Sequence, residues 1–194
     1  INGKRAADLC AAPGGKTAQL IAMGAEVTAV EQSQSRLKRL QGNLERLGLK
    51  ADCVLASLLD FRPEKPFDAI LLDAPCSSTG TMRRHPDVPW TKGPADIAKL
   101  AELQEKLLRH ALTLVGPGGI VVFSNCSLDP LEGEDMVARV LADSPEYRRV
   151  AIDAADWPGL EEAITPLGEF RTTPAMLAEE GGLDGFYACV IAKI

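Results

Sequence analysis

The sequence predicts a doubly wound α/β domain. Three observations carry that prediction: strand-length apolar runs alternate with helical patterns, the runs are nearly continuously apolar as in strands covered on both faces, and acids or cysteines stand where several of them end. Residues 6–10 form a first short strand, followed by a glycine turn and an apolar helix over 16–23. "EVTAVE" (26–31) is a second strand, and 33–47 a helix whose leucines at 37, 40, 44 and 47 recur at helical spacing. "ADCVLAS" (51–57) and "FDAILLD" (67–73) are the third and fourth strands, and a long helix over 95–115 is closed by "GPGG". "GIVVFSN" (119–125) is the fifth strand, and a helix over 131–142 follows. "YRRVAI" (147–152) is a weaker strand signal and "FYACVIAKI" (186–194) a firm one. In a sheet of this kind the ligand lies beyond the carboxyl ends of the strands. Asp8, Cys10, Glu31, Asp73, Cys76, Asn125 and Cys126 all fall there.

At 194 residues, with 46% hydrophobic and 25% charged residues, the chain predicts one globular domain spanning 1–194. No apolar run approaches the ~20 residues that span a bilayer, so no membrane role is expected. The opening "INGKR" has no signal-peptide pattern, and five cysteines cannot all pair with one another, which fits a reducing cytoplasm. The cysteines lack paired short spacing and there are only two histidines, so no metal site is expected. A net charge of −6 argues against holding nucleic acid by bulk attraction. Positive charge is nevertheless concentrated in "MRRHP" (82–86) and "RLKRLQGNLERLGLK" (36–50); the second reads as a solvated helix face.

Two places carry chemistry. "DLCAAPGGKTAQL" sets Pro13, Gly14 and Gly15 between strand and helix, where backbone can approach a ligand and free amides at the helix start can hold a polar or anionic group. It has neither the phosphate-loop nor the dinucleotide glycine spacing. Glu31, at the end of the second strand, is where a carboxylate accepts bonds from ribose hydroxyls, so loop and acid together suggest an adenosine-containing cofactor. In "LLDAPCSSTG", Asp73 closes the strand, Pro75 stiffens the turn, and the small residues after Cys76 let a flat ring come close. An acid beside such a ring can supply a proton, and a thiolate such as that of Cys126 in "SNCS" is suited to add to an electron-poor ring carbon.

"DLCAAPGGKT", "LLDAPCSSTGTMRRHPDVPW", "SNCSLDPLEGED" and "RTTPAMLAEEGGLDGFYACVIAK" resemble the successive motifs of the RNA cytosine-C5 methyltransferases of the Sun (RsmB) and NSUN type, most of all the catalytic domain of the bacterial 16S rRNA enzymes. The resemblance covers nearly the whole chain. It implies the Rossmann-like, mostly parallel sheet of the class I S-adenosylmethionine-dependent methyltransferases, with S-adenosylmethionine as cofactor. It further implies cofactor contacts at Cys10, Ala11, Ala12, Pro13, Gly14, Gly15, Lys16, Glu31, Arg36, Ser57, Asp60 and Asp73. On the same resemblance Cys126 is the nucleophile that adds to carbon 6 of cytosine, Asp73 stabilises ring nitrogen 3, and Cys76 assists release of the methylated base. The chemistry agrees, because carbon 5 takes a methyl group only after addition at its neighbour has made the ring enamine-like.

This chain departs from the pattern at Ser57, where the family usually carries an acid; Asp60 is the expected substitute. The segment that precedes the first strand in the family is also missing, which suggests the carboxyl-terminal part of a longer protein. Arg83, Arg84 and His85 continue from the site and are expected to contact RNA, ribosomal first and transfer RNA second. A monomer is expected. Cys10 is expected to line the cofactor pocket, Cys53 and Cys189 to be core residues, and Trp90 and Trp157 to be packing groups rather than platforms for a base. Two rivals stay open: a DNA-type enzyme with its nucleophile in Pro75-Cys76, and a non-catalytic module binding cofactor or RNA during ribosome assembly.

Overall fold

In the computed structural model, which describes residues 1–194, β1 (Arg5–Leu9), β2 (Glu26–Glu31), β3 (Asp52–Leu55) and β4 (Phe67–Asp73) form from the first four apolar runs. They lie in the order β3-β2-β1-β4, every neighbouring pair parallel. The helices are α1 (Gly15–Ala22), α2 (Gln34–Arg46), α3 (Val88–Thr91), α4 (Pro94–Leu114) and α5 (Glu134–Ala142). The remaining strands are β5 (Val115–Asn125), β6 (Tyr147–Val150), β7 (Phe170–Thr172) and β8 (Phe186–Lys193). The chain divides into two compact units: Ile1–Asp73 with Leu107–Val122 and Lys193, and Ala74–Lys106 with Phe123–Ala192 and Ile194.

In the first unit β5 follows β4 in the sheet. Parallel register aligns Leu9 with Val30 on one side and Leu72 on the other, so Cys10, Glu31 and Asp73 leave the sheet at the same edge. Ser33 caps α2, its Oγ accepting from the Arg36 amide at 3.4 Å, and the helix buries Leu37, Leu40 and Leu44. Each such leucine contributes about 1.5–3 kcal/mol. Leu40 and Leu44 pack with Ala11, Ala12 and Ala29, which ties the loop after β1 to the core. Leu47, expected on the same stripe, is 49% exposed, because the helix ends one residue before it.

In the second unit the last residues of β5 are followed in the sheet by β8 and then β6, and β7 runs antiparallel beside β8. Phe123, Met136 and Tyr187 are fully buried, and the Tyr187 hydroxyl donates to Glu169 at 2.8 Å. Arg149 stands 2.8 Å from the same buried carboxylate. Trp157 packs on Phe170, ring centroids 4.7 Å apart. Trp90 corrects the expectation that it packs: α3 is a single turn, and its indole is 89% exposed.

Two boundaries also move. β5 begins at Val115 rather than 119, directly after α4, with Gly118 in the left-handed region at φ +72°. The helix expected over 131–142 starts at Glu134: Asp129 caps a 3-10 turn at Pro130–Glu132, and Gly133 leaves helical geometry with φ −129° and ψ −107°. No helix is long and apolar enough to cross a membrane.

Candidate active site

The turn between β1 and α1 is shaped by backbone geometry. Gly14 has φ +103°, which calls for glycine's conformational freedom, and a Cβ there would stand 3.3 Å from Leu40 Cγ, a tight contact. Arg36 reaches back from α2 to donate to the Ala12 carbonyl at 2.8 Å, and Asn43 donates to the Pro13 carbonyl at 2.9 Å. The loop is held from behind, and its front opens on a cavity of about 400 Å³ lined by Asp8, Cys10, Ala11, Ala12, Pro13, Gly15, Lys16, Gln19 and Asp73. Of the expected cofactor residues, this brings together Cys10, Ala11, Ala12, Pro13, Gly15, Lys16 and Asp73, while Gly14, Glu31, Arg36, Ser57 and Asp60 stand outside the lining. Lys16 and Asp73 bridge the cavity at 2.7 Å.

Glu31 is buried at 2% exposure. One carboxylate oxygen accepts from the Ser33 amide at 2.9 Å; the other faces Arg36 at 3.4 Å and has no hydrogen bond. A buried carboxylate oxygen without a donor costs stability unless a ligand supplies one. Vicinal ribose hydroxyls are donors of that kind, so the residues fit an adenosine-containing cofactor. Ser57 precedes a 3-10 turn at Leu58–Asp60 without capping it through its side chain, and Asp60 is exposed.

Sequence reasoning placed Asp8 at the strand end but gave it no role. It is 1% exposed and accepts from Thr17 Oγ1 at 2.5 Å. Burial, the largest influence, pushes its pKa from 3.8 up to about 6, against the Thr17 bond, with Asp73 adding to the rise. The folded chain therefore holds this proton more tightly than the unfolded one. Asp8 favours folding fully below pH 3.8, and that contribution is lost as pH rises through 6. The loss is about 2–3 kcal/mol, at about 1.4 kcal/mol per pKa unit. The Asp8→Asn variant keeps an acceptor for Thr17 and has no proton to lose. In urea unfolding it should match the unaltered protein near pH 4 and exceed it increasingly towards pH 7. A stability difference that stays constant over that range would contradict the assignment. Gln19 was also missed, although its place one helical turn after Lys16 puts both on the same face of α1.

The second chemical centre lies wholly within the second unit. Cys76 Sγ and Cys126 Sγ are 3.5 Å apart, both partly exposed, in contact and unbonded. Ser78, held in the left-handed region at φ +60°, places its Oγ 3.5 Å from Cys126 Sγ and 3.9 Å from Cys76 Sγ. The hydrogen bond between the sulfurs, and then burial, raise the pKa of Cys76 far above the usual thiol range. Two sulfurs this close do not both ionise. Arg171, from the unforeseen strand β7, donates to the Ser127 carbonyl at 2.5 Å and is clamped by Glu134 at 2.8 and 2.6 Å.

The basic loop is less free than expected. Arg84 pairs with Asp184, Arg83 donates to the Gly181 carbonyl, and His85 is exposed. Cys10 lines the cavity with its pKa pushed up to about 12, chiefly by burial. Cys189 is buried, whereas Cys53 is only partly so. No group of three or more His, Cys, Asp or Glu side chains converges to hold a metal ion.

The family described as 16S rRNA methyltransferase RsmB/F matches residues 1–192. The chain belongs to this family. The family's ribosomal RNA small subunit methyltransferase B from Klebsiella pneumoniae (strain 342) is 40% identical over 200 residues, covering 99% of this chain and 42% of that relative. This RsmB/F chain thus spans less than half the length of the curated relatives it matches. The solved structure of NSun6 from Pyrococcus horikoshii with SFG is 25% identical, with a TM-score of 0.79 over 98% of this chain and 48% of that one. Magnesium protoporphyrin IX methyltransferase from Synechocystis PCC 6803 with bound SAM shares the fold alone, at 11% identity and a TM-score of 0.63. The RsmB/F fold is accordingly that of the class I S-adenosylmethionine-dependent methyltransferases.

Proposed function

We propose that residues 1–194 form the catalytic domain of an enzyme that methylates carbon 5 of cytosine in RNA, with 16S rRNA as substrate, through a covalent cysteine–cytosine intermediate. Membership of the RsmB/F family supports the RNA substrate. The observation that carries the mechanism is the thiol pair: two free cysteine sulfurs 3.5 Å apart on two loops. Cys126 adds to carbon 6 of the base as thiolate. Asp73 holds ring nitrogen 3 as charge develops there. Cys76 assists the elimination step, in which a base takes the proton at carbon 5, its electron pair re-forms the double bond to carbon 6, and Cys126 leaves as thiolate. S-adenosylmethionine, when bound, supplies the methyl group. The glycine loop, Lys16 and Glu31 hold it, and Arg36 fixes Glu31 and the loop from behind. Arg83, Arg84 and His85 are proposed to meet the RNA. The protein is proposed to work as a monomer in the cytoplasm.

The direct experiment is transfer of labelled methyl from S-adenosylmethionine to unmodified 16S rRNA, with the product nucleoside identified. Label in 5-methylcytidine is expected; label in transfer RNA only would move the substrate, and no transfer to any RNA would leave a binding role. The cofactor site has its own test. Glu31→Ala should weaken S-adenosylmethionine binding about tenfold or more, since bonds to a charged carboxylate are worth about 1.5–3 kcal/mol each. Asp60→Ala should weaken it less, because Asp60 is exposed, whereas Glu31 is buried with one carboxylate oxygen that has no donor. Calorimetric titration giving Glu31→Ala the affinity of the unaltered protein would remove the cofactor assignment.

A further inference from the structure

Beneath the thiol pair sits a carboxylate to which no role has been given. Glu132 is fully buried. Its Oε1 accepts from the Ser77 amide at 2.9 Å and from Gln104 Nε2 at 2.8 Å; its Oε2 accepts from the Ser77 and Ser127 hydroxyls, each at 2.5 Å. The same network reaches the other side of each cysteine. Gln104 Nε2 donates to the Pro75 carbonyl at 2.9 Å, and Asn125 Nδ2 donates to the Glu132 carbonyl at 2.6 Å and to Gln104 Oε1 at 3.2 Å. Pro75 and Ser77 flank Cys76, and Asn125 and Ser127 flank Cys126. Both neighbours of both thiols are therefore bonded into one cluster centred on a single side chain.

We infer that Glu132 is a positioning residue that sets the separation of Cys76 and Cys126. A side chain with acceptor capacity at both ends collects donors from two loops that are 50 residues apart in sequence and gives them one geometry. Stability alone would be served as well by apolar packing, since a buried carboxylate is costly even when satisfied. What the carboxylate adds is direction: three of its four bonds fix the Ser77 amide and the Ser77 and Ser127 hydroxyls, each in a residue next to a reacting sulfur, and the fourth holds Gln104. The inference rests on the proposed roles of the two thiols for its catalytic consequence, but its geometric content does not.

A trivalent arsenical separates the two. Phenylarsine oxide bridges two adjacent thiols, forming two arsenic–sulfur bonds while its oxygen leaves as water with the two thiol protons, so its affinity reads the sulfur–sulfur geometry without any RNA. Cys126→Ala, which leaves one attachment, sets the baseline. Glu132→Ala should bind the arsenical about tenfold more weakly than the unaltered protein, because the second attachment no longer comes at high effective concentration. Its kcat should fall about a hundredfold, the cost of displacing reacting groups by about an ångström, with KM for RNA and affinity for S-adenosylmethionine nearly unchanged. Glu132→Gln, whose carbonyl oxygen still accepts from Ser77 and Gln104 and whose amide can donate to the two hydroxyls, should recover most of both losses. Unaltered arsenical affinity in Glu132→Ala overturns the inference. Should that variant not fold, the double variant Ser77→Ala, Ser127→Ala carries the same test: weakened binding supports positioning, and unchanged binding overturns it. If the unaltered protein methylates no RNA, the proposed reaction fails while the arsenical result still decides the role of Glu132.

Discussion

Cys126→Ala is expected to abolish methyl transfer and to form no covalent complex with RNA, because the addition step that activates carbon 5 is missing. Cys76→Ala should do the opposite. Addition and methyl transfer proceed, elimination stalls, and protein accumulates joined to RNA as a slower band on a denaturing gel. The structure sharpens the contrast, since the sulfurs lie 3.5 Å apart and can meet the same base. Removing Cys76 removes the neighbour with which Cys126 shares a hydrogen bond, but not a thiol able to add to a base. Trapping with RNA containing fluorinated cytosine gives the second readout. An adduct that forms on Cys126→Ala and not on Cys76→Ala would reverse the two roles and restore the DNA-type layout as the better reading.

Gly80→Ala is expected to lower stability by about 3 kcal/mol, the upper range for overpacking a tight site. The Gly80 amide donates to the Cys126 carbonyl at 2.8 Å, and its own carbonyl accepts from the Gly185 amide at 2.8 Å. A Cβ there would meet the Gly185 carbonyl oxygen first and stand 2.7 Å from that same Cys126 carbonyl oxygen, both of them backbone. Thermal unfolding should shift down by roughly 6–12 °C for a chain of this size. Gly42 is the contrast. It lies inside α2 with nothing within 4 Å of where a Cβ would stand, so Gly42→Ala should raise stability by about 0.5–1 kcal/mol. Equal effects at the two glycines would show that chain entropy, and not the close approach to the Gly185 and Cys126 carbonyls, governs Gly80.

The parts of the fold that were legible in sequence are those where a local pattern carries the physics. β1, β2, β4 and α2 follow from runs of apolar residues and from leucine spacing, and the glycine loop and Glu31 follow from their place at strand ends. What was not legible depends on partners far away in the chain. β7 has three residues and no pattern of its own, yet it delivers Arg171 to the Ser127 carbonyl. Glu132 reads locally as one more acid in "PLEGED"; only folding brings it Ser77, 55 residues away, and Gln104, 28 residues away. Trp90 was misjudged because bulk and apolarity favour burial, whereas its short helix offers no surface to cover it.

The pairing of Arg84 with Asp184 changes what the basic loop would contribute to the proposed encounter with RNA. Salt dependence in such encounters comes from cations released when a protein charge replaces them along the phosphate chain. An arginine that brings its own carboxylate releases none while the pair holds. Arg83, bonded only to the Gly181 carbonyl, keeps its full charge. The loop therefore offers the phosphates one uncompensated arginine where its sequence advertises two, and its share of the salt dependence falls from about two released cations to about one.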